Sequence, residues 1–186
     1  MKATKRTKII QGALIIVTLA GIRSAHAAAC LGATSSGPEF QSIAFMQQTG
    51  TFTFEVDATP SASNPAVDGA VGLSNTLMTA YTDLAAVVRF HDNGMVDARN
   101  GSNYQAENSY AYSLGTTYHV RLVVDVVNHL YSAYIRQAGI VPETTIANDY
   151  AFRTEQSGVT ALTYWGTNGE FGPTRIGGFS WHKNSI

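Results

Sequence analysis

Apolar and polar residues alternate with a period of two through most of this chain. In residues 51–56, Phe52, Phe54 and Val56 fall on one side and Thr51, Thr53 and Glu55 on the other, the pattern of a half-buried strand. Residues 118–126 repeat it over a longer span, with Tyr118, Val120, Leu122, Val124 and Val126 opposed to His119, Arg121, Val123 and Asp125. Further strands are predicted at 67–73, 84–90, 95–99, 102–105, 130–136, 145–152, 159–165 and 175–181. Asn93-Gly94, Asn100-Gly101 and Asn128-His129 mark tight turns between them, because Asn and Gly reach the positive φ angles such turns need. The run Pro60-Ser-Ala-Ser-Asn-Pro65 breaks the chain. No apolar period of 3.6 follows the first thirty residues. About ten short strands with evenly spaced turns predict an all-β, two-sheet antiparallel β-sandwich or barrel. No internal repeat points to a propeller or solenoid.

The N-terminal segment has a different pattern. Lys2, Lys5, Arg6 and Lys8 precede an uncharged, mostly apolar stretch over 9–22, and Ser24-Ala25-His26-Ala27 offers small residues for cleavage. This is a signal-peptide pattern over 1–27, and the apolar run is short for a bilayer core of about 30 Å. A short linker over 28–38 and a single sandwich domain over 39–186 complete the expected organisation, with the product periplasmic or extracellular and no membrane span after cleavage. Cys30, the only cysteine, allows no internal disulfide. Its place after Ala27-Ala28-Ala29 partly resembles a lipoprotein box, so lipid anchoring is the alternative to a free thiol.

Cleavage also changes the charge. The chain holds twelve Lys plus Arg against thirteen Asp plus Glu. The first 27 residues carry five of the cations and no acid, which leaves the mature chain near −6. A nucleic-acid partner is excluded on that ground.

Two hairpins carry a resemblance. The run 115–125, Gly-Thr-Thr-Tyr-His-Val-Arg-Leu-Val-Val-Asp, followed by Leu130-Tyr131-Ser132-Ala133-Tyr134-Ile135, is similar to a hairpin of concanavalin A-like, laminin G-type jelly rolls. The hairpin of 86–90 with 94–98, the turn at Asn100-Gly101 and the segment 146–156 fit the same scaffold. The resemblance covers roughly residues 50–182 and looks like a module of secreted bacterial polysaccharide-active proteins. It implies a jelly roll with ligands on an exposed concave sheet or at its loop edge. The fold hosts lectins, lyases, glucanases and interaction modules alike.

Candidate chemistry follows from the alternation. Arg89 and His91 leave the outer face of one strand, and His119 and Arg121 the outer face of another. If those strands were neighbours, two arginines and two histidines would form one surface suited to a carboxylated sugar. The alternative is a solvated face with ion pairs to Glu55, Asp97 or Asp125. Tyr104 and Trp165 are expected as stacking platforms, among the candidates Tyr110, Tyr112, Tyr164 and Trp181. For each aromatic the competing expectation is core packing.

The preferred reading is thus a non-catalytic, lectin-like carbohydrate-binding domain with a polysaccharide or glycan as partner. The second is a small polysaccharide lyase acting on a uronate by β-elimination through His119, Tyr134 and Arg121. The third is a structural or protein-interaction module. The Arg-x-Glu-x-Arg and Gln-Ile-His motifs of alginate lyases on this fold are absent, as is the Glu-x-Asp-x-x-Glu motif of its glucanases. The glutamates are taken as isolated from other carboxylates, which excludes retaining hydrolysis, whose two carboxylates stand about 5 Å apart. No Gly-x-Ser-x-Gly or zinc-ligand spacing occurs. No cofactor is expected beyond a structural calcium, for which Asp57, Asp68 and Asp83 are candidates against the plainer role of turn residues.

Overall fold

The structure, a computed structural model, describes residues 33–35, 39–61, 67–169 and 174–183, with side chains described over 39–61 and 67–169. The signal segment, Cys30 and the side chain of Trp181 lie outside the described residues. Twelve strands are described: β1 (Ala33–Ser35), β2 (Gln41–Gln48), β3 (Thr51–Pro60), β4 (Gly69–Ser74), β5 (Leu84–Phe90), β6 (Val96–Asn100), β7 (Asn103–Gln105), β8 (Tyr118–Asp125), β9 (Leu130–Gln137), β10 (Thr144–Ala151), β11 (Leu162–Gly169) and β12 (Thr174–Lys183).

They form two six-stranded antiparallel sheets. Sheet A has the order β1-β12-β3-β8-β9-β10 and sheet B the order β2-β11-β4-β5-β6-β7. The expected β-sandwich is therefore present. Alternation on β8 is realised as strictly alternating burial, and Phe52, Phe54 and Val56 of β3 face the same interior. Phe52, Phe54, Phe90, Leu122, Tyr131 and Trp165 are among the fully buried side chains between the sheets. Removing this apolar surface from water, at about 25 cal/mol per Å², drives the two layers together.

Three details depart from the sequence reading. Residues 33–35, assigned to a linker, pair with β12 at the edge of sheet A. β2, not foreseen, pairs with β11 at an edge of sheet B. Edge strands need bury little, and the irregular Gln-Ser-Ile-Ala-Phe-Met-Gln-Gln carries no clean alternation. β11 runs on through Gly166-Thr-Asn-Gly169, where glycines hide the strand signal.

The predicted turns are found. Gly94 and Gly101 have φ of 82° and 56°, and His129 has φ of 56°. Gly72 has a packing reason, since a Cβ there would stand 2.6 Å from the Ala86 carbonyl oxygen and 2.9 Å from Leu84 Cδ2.

Segment 75–83 lies over the outer side of sheet B. The Met78 N–H donates to Ser42 Oγ, Tyr81 Oη to Asn168 Oδ1, and Phe40 packs edge-on against Tyr81. A second, smaller cluster of Ala70, Met78, Leu84 and Val87 is buried there, flanked by Phe40, Tyr81, Tyr104 and Tyr164. Arg89, Asp97 and Arg99 lie at the β5-β6-β7 end of that face.

Candidate ligand-binding site

The four basic side chains expected to converge do not. β5, with Arg89, belongs to sheet B, and β8, with His119 and Arg121, to sheet A. Both strands turn these residues outward, so the two pairs leave opposite sides of the sandwich. Alternation settled the outward direction of each pair, but strand pairing, a long-range property, separated them.

On sheet A the polar residues form a self-neutralising array. His119 Nδ1 lies 2.8 Å from Asp57 Oδ1. Arg121 donates from Nε and Nη2 to Glu143 Oε2 at 3.0 and 2.6 Å, and stacks 3.9 Å over the Tyr134 ring. Arg136 Nε is 3.7 Å from the other Glu143 oxygen. Hydrogen bonding from Arg121 holds the Glu143 carboxyl below its ordinary value, more than offsetting desolvation. His119, Arg121 and Tyr134 do share one face, since Arg121 pairs directly with Tyr134 and His119 with Arg136. Glu55 and Asp57 also share that face, two residues apart on β3, so the glutamates are not all isolated as expected. Glu55 stands opposite Arg121 and Asp57 opposite His119.

Sheet B presents a different balance. Arg89 donates to both Asp97 oxygens, Nε to Oδ1 at 2.9 Å and Nη2 to Oδ2 at 2.6 Å, with Asp68 3.9 Å away. Burial would lower the Arg89 guanidinium, but the hydrogen bond and charge of Asp97 outweigh it and hold it above its ordinary value. This is the ion pair that the solvated-face alternative anticipated. Arg89 also lies 3.8 Å over the Tyr104 ring, with Arg99 at 4.9 Å and Arg153 at 5.9 Å. Arg153 Nη2 donates to the Tyr104 hydroxyl at 3.0 Å. Arg99 Nε donates to the Gly101 carbonyl.

Arg99 has no place among the site residues expected from the sequence, and the stretch 153–156 is expected there only as a cap of the sandwich through an Arg–Glu pair. Arg99 follows Asp97 on the outward face of β6, a usable signal. Arg153 comes from the loop after β10 and reaches Tyr104 only through the tertiary fold.

Other expected site residues stand in different surroundings. Trp165 is wholly buried, with its ring 5.9 Å from that of Phe54, so it is core and not a platform. Tyr104 has Arg89 against its ring and is no open stacking surface. The His91 ring is engaged in its own turn, beside Asp92 and accepting from the Asn93 N–H at 3.1 Å. The calcium candidates do not gather. Asp57 meets His119, Asp68 lies near Arg89, and Asp83 accepts from the N–H groups of Thr79 and Ala80. Among the described residues no group of three His, Cys, Asp or Glu is placed to hold a metal ion. No helix among them is long and apolar enough to cross a membrane.

Two antiparallel sheets in this arrangement make the chain a concanavalin A-like jelly roll. Solved structures with this fold include lectin I-B4 from Griffonia simplicifolia, 10% identical, with a TM-score of 0.55 over 78% of this chain and 81% of that one. Peanut lectin is 10% identical at a TM-score of 0.50, covering 84% of this chain and 99% of its own. A GH131 β-glucanase catalytic domain from Podospora anserina is 10% identical at 0.53, covering 83% and 72%. Likeness at these identities is one of fold alone. Among curated proteins, a gellan lyase from a Bacillus species is 26% identical over 100 residues, which make up 53% of this chain but only 4% of that protein. No family model matches the chain.

Proposed function

We propose that this chain is an exported, non-catalytic carbohydrate-binding domain whose ligand surface is the β5-β6-β7 end of sheet B. The observation that carries this reading is the half-buried cluster of Tyr104 with three guanidiniums outside the main core. Sugars are recognised by planar hydrogen-bond donors such as guanidiniums set on a rigid scaffold, and strands hold such groups more firmly than loops do. The fold supports the reading, because lectins and polysaccharide-active enzymes share it. So does the small share of the gellan lyase that is matched, which suits a module attached to a larger polysaccharide-active protein. Export to the periplasm or beyond is proposed from the signal pattern of residues 1–27.

A glycan array with neutral and acidic polysaccharides tests the proposal. Retention of at least one class is expected, with weakened retention for Arg89→Gln. A chain that retains none of them is not a carbohydrate-binding domain.

A second reading, a polysaccharide lyase, is favoured by the shared face of His119, Arg121 and Tyr134. Asp57 stands 2.8 Å from His119 Nδ1, as the carboxylate orienting a base would. Against it, Glu143 already takes two hydrogen bonds from Arg121, the group that would neutralise the uronate. Ultraviolet absorbance from unsaturated uronate ends, on incubation with alginate, pectin or gellan, would establish it in place of the binding role.

A further inference from the structure

We infer that the Tyr104 cluster binds the carboxylate of an acidic sugar, with the Arg99 guanidinium and the Tyr104 hydroxyl as donors and Arg153 as the buried cation behind them. The inference rests on the carbohydrate reading above and specifies its ligand.

Charge balance around Tyr104 favours an anion. Of the three guanidiniums around Tyr104, Arg89 has Asp97 and Asp68 beside it. Those of Arg99 and Arg153 meet neutral partners, the Gly101 carbonyl and the Tyr104 hydroxyl. Arg153 is only 5% exposed, and its Nε is buried with no hydrogen-bond partner. A desolvated cation without a counter-charge is costly, and a bound anion relieves that cost. The local excess of positive charge stands out in a chain whose overall charge is −1.

The donors point the same way. Because the Tyr104 oxygen accepts from Arg153, its own proton is free to be donated away from Arg153. Burial pushes the Tyr104 phenol up, against the pull of Arg153, Arg89 and Arg99, so the hydroxyl keeps that proton at neutral pH. Arg99 commits Nε to Gly101, which leaves its two terminal nitrogens for a planar, two-oxygen group. With Arg89 over the Tyr104 ring, recognition depends on charge and hydrogen bonds rather than on stacking of a neutral sugar face.

The donors are also held rigidly. The Gly101 carbonyl accepts from both Arg99 Nε and the Thr154 N–H, and the Gly101 N–H donates to Ala151. Asn100 Oδ1 accepts from the Ala151 N–H, and the Arg153 N–H donates to the Ala85 carbonyl. The β6-β7 hairpin and the loop after β10 are thus locked together, and the two arginines are set before any ligand arrives.

Calorimetric titration of the full chain with alginate oligomers, the same oligomers carboxyl-reduced to neutral sugars, and dextran sulfate tests the inference. Tyr104→Phe keeps the ring and removes the donor, and Arg99→Gln removes the charge. Thermal melts check that both fold. Expected are binding of the uronate oligomers, at least tenfold weaker binding of the reduced form, and a further loss of about ten- to hundredfold in either variant, as for a hydrogen bond to a charged group. Equal affinity for native and reduced oligomers, or no change in the variants, overturns the carboxylate site while leaving a carbohydrate-binding domain. Tighter binding of dextran sulfate than of the uronates reassigns the anion and overturns it too. Absence of binding to every glycan, neutral ones included, removes both readings. Should neither variant fold, the native-against-reduced comparison still decides.

Discussion

The hydroxyl of Tyr131 lies 2.5 Å from the carbonyl oxygen of Arg99 and 2.9 Å from that of Val87, bridging from β9 of sheet A to β6 and β5 of sheet B. One polar atom thus links the two layers inside the apolar core and fixes the backbone of Arg99, whose side chain sits in the proposed ligand site on the outside. Complete burial pushes the Tyr131 phenol far up, so it serves as a neutral donor throughout the usable pH range.

Tyr131→Phe keeps the ring and deletes the link. Stability is expected to fall by about 1–3 kcal/mol, the cost of leaving a buried acceptor unsatisfied. Urea unfolding measures it, and an unchanged midpoint would show that the hydroxyl contributes nothing.

Trp165 distinguishes a core residue from a sugar platform. Trp165→Ala is expected to cost about 3–5 kcal/mol, the range for emptying a large aromatic site in a packed interior. The milder Trp165→Phe should lower the melting temperature yet leave glycan affinity within twofold. A selective loss of binding at unchanged stability would return Trp165 to the ligand surface.

Two glycines make a paired test of packing. In Gly72→Ala the new methyl would meet the Ala86 carbonyl oxygen at 2.6 Å, a contact that backbone must yield to, at about 1–3 kcal/mol. Gly50→Ala meets nothing within 4 Å and should leave the unfolding midpoint near that of the parent. Equal effects of the two would contradict the tight approach of β4 to β5.

The Arg121–Glu143 pair predicts part of the acid response. The folded Glu143 carboxyl titrates below its ordinary value of 4.5, so its contribution is complete above that pH and is lost as pH falls through the lowered value. Glu143→Gln should remove this part of the acid destabilisation. Asp83 and Asp125 remain as other contributors. Desolvation raises Asp83, but hydrogen bonds from Thr79 and Ala80 outweigh it, and hydrogen bonds from Asn128 lead the lowering of Asp125. Urea midpoints across pH 3–6 for parent and variant check the slope, and parallel curves would refute the linkage.

Local patterns alone determined much of this protein. Side-chain alternation at a period of two is a property of each strand taken singly, so 118–126 and 51–56 announced their inward and outward residues without knowledge of partners. The turns at Gly94, Gly101 and His129 followed equally from backbone chemistry within a few residues. Which strands share a sheet is decided by contacts between segments distant in sequence, and there only the tertiary structure could speak. It put Arg89 and His119 on opposite layers, sent Trp165 inward, and carried Arg153 across from the loop after β10 to Tyr104. Short-range periodicity fixes the direction in which a side chain leaves its strand, whereas burial of both sheet faces against each other fixes which side chains meet.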